Sequence, residues 1–185
     1  MKKNPSIYVG TYYKYNCGPS HGGSIAGEWL DLTDYSSKEE FYEACKELHS
    51  DEEDAEFMFQ DWENIPDFLI SECSLDDDAF EYFEAIANMD DDKIEALEIY
   101  RDNILGKHFE ISVSDLIEHF EESYQGYYGG KSDTAEVEYA YEYVEQAGFL
   151  NNCPDELSRY FDYEAYARDL FSSSFVEHDG HVFTN

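Results

Sequence analysis

The chain has 185 residues and sets 44 Asp plus Glu against 11 Lys plus Arg, a formal net charge of −33. Such acidity usually accompanies disorder, because high charge with low hydrophobicity cannot offset chain entropy, but 42% hydrophobic residues, including 17 Tyr and 13 Phe, supply large rings to bury and exclude that class. The charge also excludes anionic lipid and nucleic acid as partners, since both attract Lys and Arg clusters, and no stretch approaches the roughly 18 apolar residues of a membrane span.

Met1-Lys2-Lys3-Asn4-Pro5 leads into a half-polar strand, Ile7-Tyr8-Val9-Gly10-Thr11-Tyr12, rather than into the apolar region of a signal peptide. The turn-rich run from Lys14 to Gly23 then predicts a loop. Glu28-Trp29-Leu30-Asp31-Leu32 alternates as a strand, and Ser36 or Ser37 can cap a helix with Phe41, Ala44, Cys45 and Leu48 on its apolar stripe. Glu40, Glu43 and Glu47 fall on its outer face. A strand over 56–62 closes this α/β module near Pro66.

Ser74 reads as the cap of the next helix, with Asp76, Asp77 and Asp78 in its first turn, where carboxylates suit the helix dipole. Ala79, Tyr82, Phe83, Ile86 and Ala87 form one arc; Asp77, Asp78, Glu81 and Glu84 form another. A second helix starts within residues 88–92 and runs through Ile94, Leu97 and Tyr100. The third unit opens with a strand over 109–113 and a helix over 115–122 bearing Asp115, Glu118, Glu121 and Glu122. After a loop at Gly126, Gly129 and Gly130, Thr134 or Asp133 caps a helix with Val137, Ala140, Tyr141 and Val144 inward and Glu138, Glu142 and Glu145 outward. A helix after Pro154 through Tyr163, Tyr166, Ala167 and Leu170 precedes a final turn and strand over 179–183.

The fold class predicted is α+β: an elongated row of three small domains with a strongly acidic surface. They are an N-terminal α/β domain over 1–66, a central helical domain over 67–105 and a C-terminal α+β domain over 106–185. Aromatic rings at these helical positions read as core, because small modules need large side chains to bury enough area.

Catalytic constellations are not found: there is no GxxxxGK[ST], HExxH, GxSxG or GxGxxG. The runs Asp76-Asp77-Asp78 and Asp90-Asp91-Asp92 lack the glycine of a helix-loop-helix calcium loop. Cys17, Cys45, Cys73 and Cys153 contain no CxxC pair and read as reduced thiols. Cys17 with His21, and Cys45 with His49, each offer a thiolate and an imidazole four residues apart, a spacing that matches no zinc signature. His178 and His181 are of a type that can ligate a metal, but they read as ordinary surface imidazoles. No metal, cofactor or enzymatic activity is expected, and the location expected is cytoplasmic.

What remains is the acidity itself. A B-form duplex carries about one charge per 1.7 Å, so 33 charges correspond to about 55 Å of duplex. Carboxylates three or four apart on a helix are roughly 5–6 Å from each other, near phosphate spacing. Such a protein can enter a Lys- and Arg-lined groove in place of DNA. The alternative is an acidic soluble protein with a calcium-buffering or high-salt role, whose charged faces are merely solvated.

Several strings resemble the ArdA antirestriction family, the DNA mimics of conjugative plasmids and transposons. They are Ile7-Tyr8-Val9-Gly10-Thr11-Tyr12 with Tyr15-Asn16, Gly27-Glu28-Trp29-Leu30-Asp31-Leu32, and Phe59-Gln60-Asp61-Trp62-Glu63-Asn64-Ile65-Pro66, then Tyr124-Gln125-Gly126 and Asp162-Tyr163-Glu164-Ala165-Tyr166-Ala167-Arg168-Asp169-Leu170. The resemblance spans nearly the whole chain, with Pro19-Ser20-His21-Gly22-Gly23 as a local insertion. It implies a curved three-domain mimic of bent B-form DNA, a homodimer formed through the C-terminal domain, and a target in the methyltransferase core of type I restriction-modification enzymes. Two strongly anionic chains need a lightly charged patch on which to meet, and Tyr124, Tyr127, Tyr128, Tyr139 and Tyr143 are the tyrosines expected there. The carboxylates named above are the expected phosphate mimics.

Overall fold

The computed structural model of the protein describes residues 4–21, 26–107, 109–130 and 133–185. The fold is α+β, and by internal contact density the chain divides into two units, Met1–Met89 and Asp90–Asn185. The division at 66/67 and 105/106 is a different cut of the same chain; its middle piece gives one helix to each unit.

In the first unit, strand β1 (Ser6–Thr11) is the middle of an antiparallel sheet, flanked by β2 (Glu28–Asp31) and β3 (Phe57–Glu63). Ile7 and Val9 are fully buried, as alternation along a half-covered strand requires. Tyr8 faces Asp61 while Val9 faces Phe59, so Gln60 is an extra residue that bulges β3. Helix α2 (Lys38–Leu48) lays Phe41 and Cys45 on this sheet, with the Phe41 and Phe59 ring centroids 5.8 Å apart. Ser37 caps it by accepting the Glu40 amide, and Glu40 reaches back to accept from the amide and hydroxyl of Ser36.

The loop expected after β1 is instead helix α1 (Tyr12–His21) up to residue 21, and the expected Gly22-Gly23 turn lies outside the described residues. Local turn chemistry is overridden by anchors from distant chain: Thr11 Oγ1 accepts the Lys14 amide, the Lys14 ammonium is bound to Asp51, and Tyr12 donates to Glu72. Ser74 is not a helix cap. It lies in strand β5 (Ser74–Leu75), paired with β4 (Ile70–Ser71), and its hydroxyl is 2.7 Å from that of Ser71. Helix α3 (Ala79–Ile86) therefore starts after the three aspartates, which precede its first turn, and it buries Ala79 and Tyr82.

In the second unit, Asp90 caps helix α4 (Asp91–Ile99) by accepting the Lys93 amide. The helix widens into π-helical turns over Tyr100–Gly106, where buried Arg101 donates to the Gly106 carbonyl. The strand expected over 109–113 does not form: residues 109–112 are irregular, and Ser112 caps helix α5 (Val113–Ser123). Tyr124 to Gly126, expected to lead into a loop at Gly126, belong to strand β6 (Tyr124–Tyr127). Helix α6 (Ala135–Ala147) begins at the Thr134 cap and ends on left-handed Gly148 (φ 65°).

The apolar arc of α6 is wider than expected. Val137, Ala140 and Val144 are buried, Tyr139 is buried, and Tyr141 is 43% exposed. The reason is that α6 is covered on two sides. Val137 and Ala140 meet Ala167, Tyr163 and Tyr166, whereas Tyr139 packs with Tyr128, Phe175 and Val182. The segment after Pro154 is two helices rather than one, α7 (Asp155–Ser158) and α8 (Tyr163–Phe171), the latter capped by Asp162. Strands β7 (Phe175–His178) and β8 (His181–Thr184) form a hairpin, and β8 lies between β6 and β7. Its two-residue turn, Asp179 (φ 50°) and Gly180 (φ 87°), has the left-handed pair that suits strand twist.

Candidate partner-binding surface

Helical spacing puts the candidate carboxylates in short local rows: Glu40, Glu43 and Glu47 on α2; Glu81 and Glu84 on α3 behind Asp77 and Asp78; Asp115, Glu118, Glu121 and Glu122 on α5; and Glu138, Glu142 and Glu145 on α6. Asp78 and Glu138 are half-buried, and the other twelve are exposed. Helix α4 adds exposed Asp91, Asp92, Glu95 and Glu98. That row was missed, although Asp91, Glu95 and Glu98 repeat at the spacing used to find the others.

The basic residues do not dilute these rows evenly. Each described lysine is paired with a carboxylate: Lys14 with Asp51 at 2.7 Å, Lys38 with Asp77, Lys46 with Glu43 at 2.6 Å, Lys93 with Glu121 at 2.6 Å and Lys107 with Asp102 at 3.6 Å. Three of the candidate carboxylates, Glu43, Asp77 and Glu121, therefore have a local cation. The Lys38 hydrogen bond holds the Asp77 carboxyl below its ordinary pKa. Glu40 is also held low, by hydrogen bonds from the amide and hydroxyl of Ser36, so its charge is tied to the start of α2. Glu142 accepts from Gln146 at 2.7 Å.

The tyrosines divide by burial. Tyr128 and Tyr139 are core residues, 6% and 5% exposed, with ring centroids 5.2 Å apart. Burial first, then the Glu142 carboxylate, pushes the Tyr128 phenol up to about 12. Burial likewise raises Tyr139, and it lifts Tyr124 to about 12 with Asp90 and Asp92 adding to the shift. Tyr124 and Tyr143 are half-buried, and Tyr127 is 50% exposed. Tyr141, Tyr163 and Tyr166, read from the sequence as lying on apolar helix faces, are joined by Phe161, which sequence reasoning missed: Tyr141 and Tyr163 have centroids 4.0 Å apart, and Phe161 lies 4.8 Å from Tyr163 and 5.5 Å from Tyr166.

His49, Asp51 and Glu52 are close enough for their ligand atoms to lie within 4.8 Å of one another. The Lys14 ammonium touches all three, at 3.0 Å from His49 Nδ1, 2.7 Å from Asp51 and 3.4 Å from Glu52. A side-chain cation thus already supplies positive charge there. Cys45 does not join His49 in a thiolate pair, since it is fully buried and burial pushes its thiol up to about 12. Cys17 is exposed, and the side chain of His21, its expected neighbour, lies outside the described ones. His181 is 1% exposed, with Nδ1 3.0 Å from the Tyr124 hydroxyl, and is an interior residue rather than an ordinary surface imidazole. Among the described residues no helix is long and apolar enough to cross a membrane.

Fold and surface together define an α+β protein whose exposed helices present rows of carboxylates. The chain matches the family model described as Antirestriction protein (ArdA) over residues 7–183, and it belongs to that family. Membership carries an antirestriction function, that of an inhibitor. No curated protein matches the chain.

Proposed function

We propose that the protein acts as a mimic of B-form DNA in the cytoplasm, occupying the DNA-binding groove of the methyltransferase core of a type I restriction-modification enzyme. Restriction of incoming mobile DNA is thereby blocked. The observation that carries this reading is the set of exposed carboxylates at spacings of three and four on α2, α3, α5 and α6. Such spacing sets anionic oxygens on the length scale of phosphates. A groove that recognises DNA through Lys and Arg would meet the same field and release the same counterions. The three-domain division at 66/67 and 105/106, and homodimerisation through tyrosines of the C-terminal part, belong to the same proposal.

The experiment is competition. Purified protein is titrated into a methyltransferase core bound to labelled duplex, over a salt series. Displacement that weakens steeply as salt rises is the expected result, because counterion release dominates binding to such grooves. A complex that is insensitive to salt, or that leaves the duplex bound, overturns the proposal.

A further inference from the structure

Within the first unit, the start of β1, the turn after β2 and helix α3 enclose an open groove of about 400 Å³. Leu32, Tyr35, Phe80 and Phe83 supply its apolar walls, and Glu81 and Glu84 stand at the same place. Leu32 is buried beneath, whereas the three rings are half-buried and keep surface toward solvent. Phe80 and Phe83 meet edge to face, with centroids 6.1 Å apart and planes at 75°. Glu81 and Glu84 are exposed, and the described lysines all pair with other acids, Asp51, Asp77, Glu43, Glu121 and Asp102. The α2 row and its flank differ in this respect, because Lys46 and Lys38 pair with Glu43 and Asp77.

We propose that this groove is a receptor for an arginine side chain of the protein partner, a discrete anchor within an otherwise distributed electrostatic surface. The proposal rests on the reading that the partner presents a basic groove. Ring faces attract a cation through their quadrupole within about 6 Å of the centroid. Carboxylates three apart on a helix are neighbours, and together they suit the forked nitrogens of a guanidinium. Arginine fits better than lysine because its planar head is weakly hydrated and stacks on rings, whereas an ammonium holds its water. Charge complementarity selects a cation over an apolar or acidic side chain, since either of those would bring Glu81 and Glu84 no counter-charge.

The test uses the full chain alone, followed by aromatic and methyl NMR, with N-acetyl-arginine amide, N-acetyl-lysine amide and N-acetyl-leucine amide as probes. The arginine probe is expected to shift the Tyr35, Phe80 and Phe83 ring signals saturably, and the lysine and leucine probes to bind at least about fivefold more weakly. The ring shifts persist in about 0.5 M sodium chloride, where screening lengths are about 4 Å, because the contact is short and partly shielded. Phe83→Ala removes the response. Glu81→Gln with Glu84→Gln, which leaves the rings in place, weakens it and covers the case in which Phe83→Ala disturbs α3. Equal response to all three probes, or shifts spread over the acidic helices with none on these rings, overturns the assignment. Ring shifts that follow protein concentration rather than probe would mean that a second copy fills the groove, and they overturn it as well. Failure here leaves DNA competition untouched, and failure of DNA competition leaves an arginine receptor without its proposed target.

Discussion

The Lys14 ammonium donates to Nδ1 of His49 at 3.0 Å, and the other ring nitrogen of His49 lies 3.2 Å from the Val9 carbonyl. A carbonyl only accepts, so Nε2 carries the proton and Nδ1 is the acceptor. One cation on α1 is thereby fastened to the centre of the sheet and, through Asp51 and Glu52, to the chain that follows α2.

Lys14→Met keeps the stem and removes the charge, leaving His49 Nδ1 without its donor and the 11%-exposed Glu52 carboxylate without its cation, held only by the Thr11 hydroxyl. The expected loss is about 1–3 kcal/mol, read from urea denaturation at pH 7. Burial alone would lower the Lys14 pKa, but its hydrogen bonds to Asp51 and Glu52 outweigh burial and raise it. Its contribution is therefore complete below the ordinary lysine pKa and disappears as pH rises through the raised value. The bond from Lys14 lowers Asp51, so that share disappears as pH falls through the lowered value. The stability gap between wild type and variant should close at both ends of the pH range; a gap flat with pH would refute the arrangement.

Burial pushes the His181 pKa down, against the opposing pull of Glu95, Asp92, Asp179 and Glu177. The unfolded chain then binds the proton first as pH falls below about 6.5. Stability should drop between that pH and the lowered folded value, and His181→Phe should lack that portion of the slope. Identical slopes for the two proteins would argue against a buried neutral imidazole.

Gly180→Ala should destabilise the second unit by about 1–3 kcal/mol, the range for a strained left-handed position. A Cβ there would sit 2.9 Å from Gly129 Cα and 2.7 Å from the Tyr127 ring. Thermal unfolding reads the effect, and an unchanged midpoint would show that the turn relaxes freely.

Neutralising the exposed Glu142 or Glu145, or the half-buried Glu138, singly should matter little for partner binding, because one solvent-screened charge contact in a row is worth about 0–1 kcal/mol. Replacing all three by Gln should weaken methyltransferase binding about tenfold if each contributes about 0.5 kcal/mol. Circular dichroism should show α6 intact. Loss of all inhibition from one of these single changes would indicate a localised site in place of a row.

If the chain dimerises through its C-terminal part, repulsion between the two copies is relieved as screening lengths shorten. Sedimentation across a salt series should show self-association tightening over the range in which methyltransferase binding weakens. A monomer at every salt concentration, with full inhibition, removes the dimer and leaves the mimic.

Helix faces and caps are legible in this sequence where the reason is local. Ser37 and Thr134 cap as their hydroxyls and the following acids predict, and the rows on α2, α5 and α6 follow from spacing alone. Elements held by distant chain are not legible. Helix α1 reads as loop because its anchors, Asp51 and Glu72, are about 40 and 60 residues away. Ser74 is a good cap by type, but pairing with Ser71 takes it into a hairpin. Tyr139 and Tyr141 have the same side chain two residues apart, and only the sheet on one side of α6 decides which is buried. The carboxylate rows can be read but not ranked, since composition does not say which acid holds a lysine.

The acids of this chain fall into two kinds that tolerate change differently. Asp31, Asp90 and Asp162 each accept a backbone amide two or three residues ahead, a reach that suits the short aspartate side chain and makes even glutamate a poor replacement. The carboxylates of the exposed rows that hold no cap or ion pair have no such geometric duty, and Asp, Glu or their amides would all leave the backbone undisturbed. The sequence can thus drift widely among acids on its outer helices while its cap positions stay fixed. By the same logic a less acidic twin, amidated along the rows and untouched at the caps, would have this fold with a much weaker field, and comparing the two would separate the work of shape from the work of charge.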